Sequence, residues 1–373
     1  ILSQLSRKIT PRLTQTRAFS AVTKKIAVYP GDGIGPEVTD SAFAVLKELE
    51  ARTGKFKLDC TVYDWGCDYY DKHGVCAPTD FLEILKPYDA VYLGAVGFPA
   101  RLEDNITLKP LIDMRQGFDQ YACVRPARTF PGIPTPLEKK DPIEIIVVRE
   151  NTEGEYVDCG GRFKKMTLDE VGIQSAVHTG KGVERILRYA FEEARRRPKK
   201  TMTMATKSNA QKYAMVMWDD WFDQMKLEYP DVTATREHID ALCMKFVQNP
   251  QQFDVVCASN LFGDILSDLS GAVTGGLGLN PSGSLNPDRT FPSMFEPVHG
   301  SAPDISGMDL ANPIGAILSA MMMIDWVGVD CAVGAAGVAA VDACLKSGVA
   351  TKDLGGSLGT KDFTKAVIDH LKI

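Results

Sequence analysis

Residues 28–38 read VYPGDGIGPEV, which places glycines at positions 31, 33 and 35 between an apolar run and a helical pattern. A glycine-rich turn before a helix can bind phosphate through free backbone N–H groups and the positive end of the helix dipole. The dinucleotide-binding fingerprint, however, is spaced G-x-G-x-x-G, and here Pro36 stands in place of the third glycine. Glu37 in the first helical turn would also repel a pyrophosphate. The stretch therefore argues against a Rossmann fold, and this turn must serve another purpose.

Strand-like and helix-like segments alternate along the chain, which predicts a largely parallel α/β sheet. The predicted strands are residues 25–29, 58–65, 89–97, 143–151, 200–207 and 254–260. The predicted helices include residues 36–52, 79–88, 182–196, 218–225 and 259–271. Proline-rich residues 125–142 and the glycine-rich stretch after Leu269 are predicted to be loops and candidate domain boundaries. The last stretch of roughly 70 residues is predicted to be mostly helical.

Composition excludes some classes of function. The chain has 373 residues, of which 45% are hydrophobic and 24% charged, so it suits one large domain or two of ordinary size. Its formal net charge of −6 disfavours a nucleic-acid partner, whose binding needs many cations. No apolar run reaches membrane-spanning length, so we expect no membrane association. The nine cysteines have no C-x-x-C pair and are expected to be free thiols.

The beginning of the sequence differs from the rest. Residues 1–25 contain six basic residues and no acid, and they are rich in serine and threonine. This composition is typical of a mitochondrial transit peptide, which we predict over residues 1–22 together with a location in the mitochondrial matrix. An unprocessed tail is the alternative interpretation.

A pair of carboxylates is the strongest local signal. In the segment SNLFGDILSDLSG, residues 259–271, Asp264 and Asp268 are four residues apart and would project from one helix face. The pair would repel unless a cation neutralised it, and Mg²⁺ or Mn²⁺ prefers such oxygen ligands. A solvated polar face remains the alternative at this point.

Three arginines form the second signal. Arg115 and Arg125 are ten residues apart, and Arg149 ends a predicted strand. Guanidinium groups bind carboxylates in bidentate fashion, so three converging arginines suit a small di- or tricarboxylate. Taken singly, each could equally form a surface ion pair.

Tyr156 and Lys207 are candidate proton-transfer residues. Lys207 follows a predicted strand, where open α/β sheets bind ligands, and a lysine there can act as a base. A tyrosine near a cation can donate a proton to an enol. A core tyrosine and a surface lysine are the competing interpretations.

Residues 295–317, FEPVHGSAPDISGMDLANPIGAI, contain a polar loop. An acidic residue such as Asp304 can bind a ribose diol and would repel a 2′-phosphate. Asn312 followed by proline could cap the next helix. A purely structural loop is the alternative.

Taken in order, these motifs resemble the isocitrate/3-isopropylmalate dehydrogenase family of metal-dependent decarboxylating dehydrogenases. The resemblance runs from Lys25 to the C-terminus and rests on GDGIGPE, the spacing of Arg115 and Arg125, RENTEG-x-Y, SNLFGDILSD and EPVHGSAPDI. It implies a two-domain α/β/α fold with a mixed, largely parallel sheet. It also implies a large cofactor domain of residues 23–122 plus 275–373 and a small domain of residues 123–274 that carries the dimer interface.

The resemblance assigns roles to individual residues. Arg115, Arg125, Arg149 and Leu111 would contact the substrate, and Tyr156 and Lys207 would be catalytic. Asp264 and Asp268 would bind Mg²⁺ or Mn²⁺, joined by Asp240. In the family, Asp240 and Lys207 come from the neighbouring chain, so a homodimer with shared active sites is implied.

The resemblance also implies a cofactor site, in which the GDGIGPE turn lies near the nicotinamide and the loop after residue 295 holds the adenine end. An acidic residue at Asp304 is the mark of members that use NAD. The residues implied to bind the cofactor are Ile34, Asn209, Glu296, His299, Gly300, Ser301, Ala302, Asp304 and Asn312.

The implied reaction is oxidation of a hydroxy acid by NAD followed by loss of CO₂. RQGFDQY and GAVGFP are most similar to the tartrate/D-malate dehydrogenase branch, and Lys109 and Asp113 make the region before Arg115 polar. D-malate or tartrate is therefore the first choice of substrate, with 3-isopropylmalate second and isocitrate third. A non-catalytic regulatory subunit and a plain binding module remain as rival interpretations, although a regulatory subunit would typically lack some of the metal or proton-transfer residues present here.

Overall fold

The structure, a computed structural model, describes residues 21–137 and 141–373. The strands in these ranges are β1 (Val22–Gly31), β2 (Phe56–Val62), β3 (Ala90–Ala95), β4 (Ala122–Arg128), β5 (Glu144–Glu150), β6 (Gly160–Phe163), β7 (Val171–Gln174), β8 (Thr201–Thr206), β9 (Thr233–His238), β10 (Val255–Ala258), β11 (Pro281–Leu285) and β12 (Ser293–Pro297).

The α-helices in the same ranges are α1 (Gly35–Thr53), α2 (Cys67–His73), α3 (Phe81–Leu85), α4 (Asp104–Thr107), α5 (Lys109–Gly117), α6 (Gly180–Arg196), α7 (Ala214–Glu228), α8 (Ile239–Gln248), α9 (Asn260–Thr274), α10 (Ile314–Trp326), α11 (Cys331–Lys346) and α12 (Thr360–Asp369). No helix among the described residues is long and apolar enough to cross a lipid bilayer.

Ten strands form one mixed sheet in the order β2-β1-β3-β12-β11-β4-β5-β10-β8-β9. The strands β2, β1, β3 and β12 are parallel to one another, as are β5, β10, β8 and β9. In the middle, β11 and β4 are antiparallel to each of their neighbours. The sheet therefore consists of two parallel blocks that run in opposite directions and meet at an antiparallel centre.

Helices cover both faces of the sheet, so its inner strands are buried on both sides. On β1, Ile26 and Val28 face a core that includes α1 and α10, while Ala27 and Tyr29 face a second core that includes α3 and α5. All of β3 is buried. The α/β fold with a mixed, largely parallel sheet is confirmed.

The antiparallel centre was not predicted. The predicted loop at 125–142 is wrong in its first part, because residues 125–128 belong to β4. Proline has no backbone N–H to donate. Pro126 is tolerated in β4 because β11 pairs with β4 only as far as Val124, so no strand on that side requires a hydrogen bond from residue 126. The helical C-terminal region consists of three helices, α10, α11 and α12.

The GDGIGPE turn ties three chain segments together. The N–H of Asp32 donates to the carbonyl of Ala95 at 2.7 Å, and the N–H of Ile34 donates to the carbonyl of Ser301 at 2.7 Å. A Cβ atom at Gly33, where φ is +59°, would lie 2.0 Å from that Ser301 oxygen. The glycine is therefore needed for close backbone approach.

The side chain of Asp32 completes this turn. Its carboxylate accepts hydrogen bonds from the N–H groups of Cys67 at 2.7 Å and Gly97 at 2.9 Å. These contacts join the end of β1 to α2 and to the loop after β3. The turn thus has a structural task, which is to hold these chain segments together.

The predicted boundary after residue 122 falls at the start of β4, and the one after residue 274 falls at the end of α9. The division would therefore separate β11 from β4 in the middle of the continuous sheet, and it stays a prediction. Residues 1–20 of the predicted transit peptide lie outside the described residues. Val22, at its predicted end, is already the first residue of β1.

Candidate active site

A cavity of about 200 Å³ lies beside the ends of β3 and β12. One side is lined by the apolar residues Leu108, Leu111 and Ile112 of α5 and the segment before it. The other lining residues include Arg115, Arg125, Arg149, Tyr156, Asp264, Glu296, His299 and Gly300. Most of the predicted substrate-binding and catalytic residues therefore meet in one place.

Strand register brings two of the arginines together. Arg149 on β5 is paired with Cys123 on β4, so Arg125, two residues further along β4, projects from the same face. Arg149 is almost fully buried and donates from Nε and Nη2 to Asn260 Oδ1 at 2.9 and 2.7 Å. Its guanidinium also lies 5.1 Å from the centre of the Tyr156 ring. These contacts fix Arg149 in one orientation.

Asp264 on α9 is the focus of the cavity. Its Oδ1 accepts from Arg125 Nη1 at 3.1 Å and also contacts Arg149 Nη1, while its Oδ2 accepts from the Tyr156 hydroxyl at 2.9 Å. Burial alone would raise the pKa of Asp264, but the two guanidinium charges lower it below its ordinary value. The carboxylate is therefore held ionised.

Close packing of α9 against β5 makes this contact possible. A Cβ atom at Gly263 would lie 2.6 Å from the Cβ of Arg149, so only glycine fits next to Asp264 in the sequence. Asn260, at the first turn of α9, is the residue that anchors Arg149.

Asp268 lies one turn further along α9. Its Oδ1 is 3.8 Å from Arg125 Nη1, and the side chain remains 56% exposed. Burial, together with the charge of Asp264, raises the pKa of Asp268. The helical spacing of the two aspartates is as the sequence predicts. The charge of Asp264 is compensated by two arginines, whereas Asp268 has no close partner in the described part of the chain.

Arg115 on α5 has a carboxylate partner that sequence reasoning missed. Its Nη2 donates to Glu296 Oε1 on β12 at 2.9 Å, and the two side chains are only 9% and 10% exposed. Glu296 was predicted to contact the cofactor; the structure places it against Arg115. The Nε atoms of Arg115 and Arg125 are buried and have no hydrogen-bond partner.

Lys207 and Asp240 do not line this cavity. They pair with each other, with Lys207 Nζ 2.7 Å from Asp240 Oδ1, and the Asp240 side chain is 68% exposed. The hydrogen bond from Lys207 lowers the pKa of Asp240. In a single chain, therefore, Tyr156 lies at the cavity but Lys207 does not. Asp264 and Asp268 likewise lie apart from Asp240 of the same chain. Within residues 21–137 and 141–373, no group of three or more potential metal ligands is assembled.

Only some of the predicted cofactor residues lie at the cavity. His299 and Gly300 line the cavity, and burial lowers the pKa of His299, whose Nε2 has no partner. Asn209 and Asp304 are exposed.

The remaining predicted cofactor residues have structural contacts. Ile34 and Ser301 are buried and joined through their backbones, and Ala302 has a left-handed backbone with φ of +35°. Asn312 caps α10, because its Oδ1 accepts from the N–H of Ile314 at 3.0 Å.

The donor set fits a hard divalent cation. Asp264 and Asp268 present carboxylate oxygens from one helix face, and such oxygens are what Mg²⁺ and Mn²⁺ prefer. Oδ1 of Asp264 already accepts from two arginines, but Oδ2 accepts only from Tyr156 and keeps a second lone pair, and Asp268 has no partner closer than 3.8 Å among the described residues. The exposed Asp240 would have to come from another chain.

One argument about the substrate pocket is corrected by the structure. Lys109 and Asp113 do not make the pocket polar, because they pair with each other at 2.7 Å and neither lines the cavity. They are separated by four residues on α5 and share the face that is turned away from Leu111 and Arg115. Hydrophobic periodicity in α5 could have revealed this.

The fold and site together define an α/β protein with a cavity lined by three arginines, a tyrosine and two carboxylates. The chain belongs to the isocitrate/isopropylmalate dehydrogenase family, whose model matches residues 25–367. The prediction of a dehydrogenase related to the tartrate/D-malate branch is thereby confirmed at the level of the family and its relatives.

Two curated relatives and one solved structure illustrate the similarity. The chain is 52% identical to the D-malate dehydrogenase [decarboxylating] of Escherichia coli over 82% of this chain and 86% of that protein. It is 47% identical to a probable tartrate dehydrogenase/decarboxylase of Agrobacterium vitis over 93% of this chain and 96% of that protein. The crystal structure of isocitrate dehydrogenase from Methylococcus capsulatus matches with a TM-score of 0.84 and 32% identity, over 94% of this chain and 100% of that chain.

These relatives correct one prediction. The mitochondrial matrix location is wrong, because the relatives are bacterial enzymes and nothing in the comparisons indicates mitochondrial targeting. The prediction rested on a basic, acid-free composition rich in serine and threonine in a short segment, which does not distinguish a targeting signal from other basic tails.

Proposed function

We propose that the protein catalyses the NAD-linked, metal-dependent oxidative decarboxylation of a small 2-hydroxy dicarboxylic acid. One observation carries this proposal: Asp264 meets Arg125, Arg149 and Tyr156 in a single cavity. The cavity thus combines groups for binding carboxylates, a proton donor and an ionised cation ligand. A plain binding module would not require this combination.

D-malate or tartrate is the proposed substrate. Support comes from the names of the relatives, one a D-malate dehydrogenase and one a probable tartrate dehydrogenase/decarboxylase. The cavity volume of about 200 Å³ suits a small acid. Leu108, Leu111 and Ile112 present an apolar wall, so 3-isopropylmalate is the second choice and isocitrate the third.

Asp264 and Asp268 would hold Mg²⁺ or Mn²⁺ together with Asp240 of a second copy. When bound, the cation supplies Lewis-acid stabilisation of negative charge on substrate oxygens. The raised pKa of Asp268 means that cation binding competes with a proton there.

The side chains of the protein supply the other steps. Arg115, Arg125 and Arg149 bind and orient the carboxylates of the substrate. Lys207 of a second copy would take the proton from the substrate hydroxyl, and NAD⁺, when bound, would supply the acceptor for the hydride. After CO₂ leaves, Tyr156 donates its hydroxyl proton to the substrate carbon; the raised pKa of this tyrosine, caused by burial and by Asp264, keeps it protonated until then.

NAD is the proposed cofactor rather than NADP. Asp304 comes four residues after Gly300, which lines the cavity, and its exposed carboxylate would repel a 2′-phosphate. His299 and Gly300, on the loop implied to hold the adenine end, line the cavity next to Glu296, which supports a cofactor site that adjoins the carboxylate-binding groups.

A homodimer with shared active sites is proposed because Lys207 and Asp240 lie away from the cavity of their own chain. Exposed apolar side chains support an interface on this half of the molecule. On α8 and α9 they are Met244, Val247 and Ile265, and on the β6–β7 hairpin they are Phe163, Val171 and Ile173. A group of exposed apolar side chains of this kind is more often found at a protein–protein interface than on a surface that contacts only solvent.

A substrate panel tests the proposal. Purified protein is given NAD⁺ or NADP⁺ with Mn²⁺ and D-malate, tartrate, 3-isopropylmalate or isocitrate, and NADH or NADPH is followed at 340 nm. We expect NADH from D-malate or tartrate, and its loss after EDTA treatment. Equal inactivity on all four acids would overturn the proposed function.

A further inference from the structure

The proposed proton donor, Tyr156, lies in a bulge at the base of the β6–β7 hairpin. Main-chain pairing joins Gly154 to Val177 and, further along the hairpin, Gly160 to Gln174. Between these two pairs, five residues that include the tyrosine lie on one side, and only two residues lie on the other. The longer side therefore has three surplus residues and must leave the regular pairing, which makes it a bulge.

One side chain forms hydrogen bonds with this bulge on both sides of Tyr156. The amide nitrogen Nε2 of Gln174 donates to the carbonyl oxygen of Glu155 at 3.0 Å and to the carbonyl oxygen of Val157 at 2.9 Å. Because both acceptors are carbonyl oxygens, the nitrogen of the amide and not its oxygen must face them. The Gln174 side chain thus supplies the hydrogen bonds that a paired strand would supply in a regular hairpin.

Tyr156 is therefore held at two ends. Its hydroxyl donates to Asp264 Oδ2 at 2.9 Å, and its backbone is restrained through the carbonyl groups on either side. Gln174 does not line the cavity, so it can act on the reaction only through the segment that carries Tyr156. Because a small misplacement of a reacting group can lower a rate substantially, this restraint bears directly on proton transfer.

Stability is a weak reason for this contact. All of β7, including Gln174, is exposed, and hydrogen bonds that water can replace add little to the free energy of unfolding. The same hairpin carries Phe163, Val171 and Ile173, the exposed apolar side chains of the proposed dimer interface. A second copy that packs on those side chains would hold β7 in place, and with it the amide group of Gln174.

We propose that Gln174 is a positioning residue for proton transfer from Tyr156. The inference rests on the proposed function, in which Tyr156 donates its proton to the substrate carbon after CO₂ leaves. Gln174 fixes the backbone on both sides of the tyrosine, and it neither touches the substrate nor moves a proton itself. The hairpin of the proposed interface is thereby tied to the proton donor.

Fluorine NMR tests the restraint without turnover. A 3-fluorotyrosine placed at position 156 alone reports the surroundings and the mobility of that ring. Gln174→Met has a side chain of similar length without a donor, so it is expected to shift and broaden the resonance as the bulge is released. Ser175→Ala is the matched control, because the neighbouring Ser175 bonds to Cys159 through its backbone N–H. An unchanged resonance in folded Gln174→Met protein would overturn the inference.

Steady-state kinetics with the best hydroxy acid test the consequence for the reaction. Gln174→Met should lower kcat about tenfold and change KM by less than about twofold, because the arginines of the cavity keep their contacts. In a Tyr156→Phe background the same substitution should have no further effect on kcat, since the group that Gln174 positions is already absent. A purely structural role would lower kcat equally in both backgrounds, and that result would also overturn the inference.

If Gln174→Met does not fold, Gln174→Glu gives the same comparisons, because its ionised carboxylate has a similar length and no donor. The failure of this inference is distinguishable from the failure of the proposed function. Turnover by the wild type, with resonance and kcat unchanged in the Gln174 variant, would refute this inference alone. A shifted resonance in a protein that turns over none of the hydroxy acids would refute the proposed function, and with it the role in proton transfer, while the restraint on Tyr156 would stand.

Discussion

At the scale of single residues, the candidate site is organised by one carboxylate. Asp264 accepts from the Tyr156 hydroxyl and from two arginines, so its charge and position are fixed before any ligand binds. Preorganised groups of this kind do not need to rearrange during a reaction. The same contact places the tyrosine hydroxyl next to the aspartate that would hold the cation.

Tyr156→Phe tests the role of this hydroxyl. Because the proposed final step needs its proton, kcat for the best substrate should fall by about 10²–10⁴-fold with little change in KM. Steady-state NADH formation measures both constants, and Tyr69→Phe on α2, outside the cavity, serves as the control. A kcat within a factor of about three of the wild-type value would remove Tyr156 from the mechanism.

How far sequence reasoning reached at this scale depends on the residue. Arg115, Arg125 and Arg149 were expected to converge because their types and spacing suit carboxylate binding, and they do line one cavity. Asn260, which holds Arg149, and the partnership of Glu296 with Arg115 could not be read from the sequence. Both are contacts between residues more than a hundred positions apart, set by the order of the strands.

At the scale of elements, the sequence pattern identifies the long strands and helices better than the short strands. Long apolar strands and amphipathic helices were predictable from their periodicity, and β3, β5 and α6 lie close to their predicted positions. The short strands β11 and β12 were missed, because glycine, serine and proline in them read as loop residues. Their pairing is imposed by the neighbouring strands rather than by local propensity.

Gly33→Ala tests the tie between the turn and the loop at Ser301. Gly54, at the end of α1, has the same φ of +59° but nothing within 4 Å of an added Cβ, which makes it a matched control. Gly54→Ala should cost about 1 kcal/mol from backbone strain alone. Gly33→Ala should cost more than about 3 kcal/mol, since the Cβ would also collide with the Ser301 carbonyl. Urea unfolding measures both, and equal losses would show that the close approach is unimportant.

Asp325 on α10 makes a testable contribution to pH-dependent stability. Partial burial raises the pKa of Asp325 to about 6. The residue is exposed on one side, and α11 lies against the other, since a Cβ at Gly334 would lie 2.3 Å from its Oδ1. The folded protein therefore binds this proton more tightly than the unfolded chain does. The cost of the ionised carboxylate is absent below the unfolded pKa near 4, grows with rising pH, and is complete above about 6.

Asp325→Asn should accordingly stabilise the protein above pH 6 by up to about 1 kcal/mol, a figure limited by the partial exposure of the side chain. The gain should shrink to a small fraction at pH 4. Denaturant unfolding at pH 4 and pH 8 measures it, with Asp220→Asn on the exposed face of α7 as the control. A gain of equal size at both pH values would refute this account.

At the scale of the whole molecule, the two oppositely directed blocks of the sheet explain where the cavity lies. Residues from β3 and β12 of one block and from β5 of the other meet across the antiparallel centre. The predicted roles of Lys207 and Asp240 require more than one chain, because the pair lies outside this cavity. Sequence reasoning reached this only through family resemblance, since nothing in a single chain specifies how two copies meet.

Reassociation of two defective variants tests the central claim most directly. Lys207→Ala and Asp264→Asn are each expected to be inactive with the substrate that the wild-type protein turns over best. When they are denatured together and refolded, half of the dimers should be mixed, and each mixed dimer should contain one intact site. The account predicts recovery of about a quarter of wild-type NADH formation. A mixture that remains as inactive as its parents, while native mass spectrometry shows mixed dimers, would contradict it.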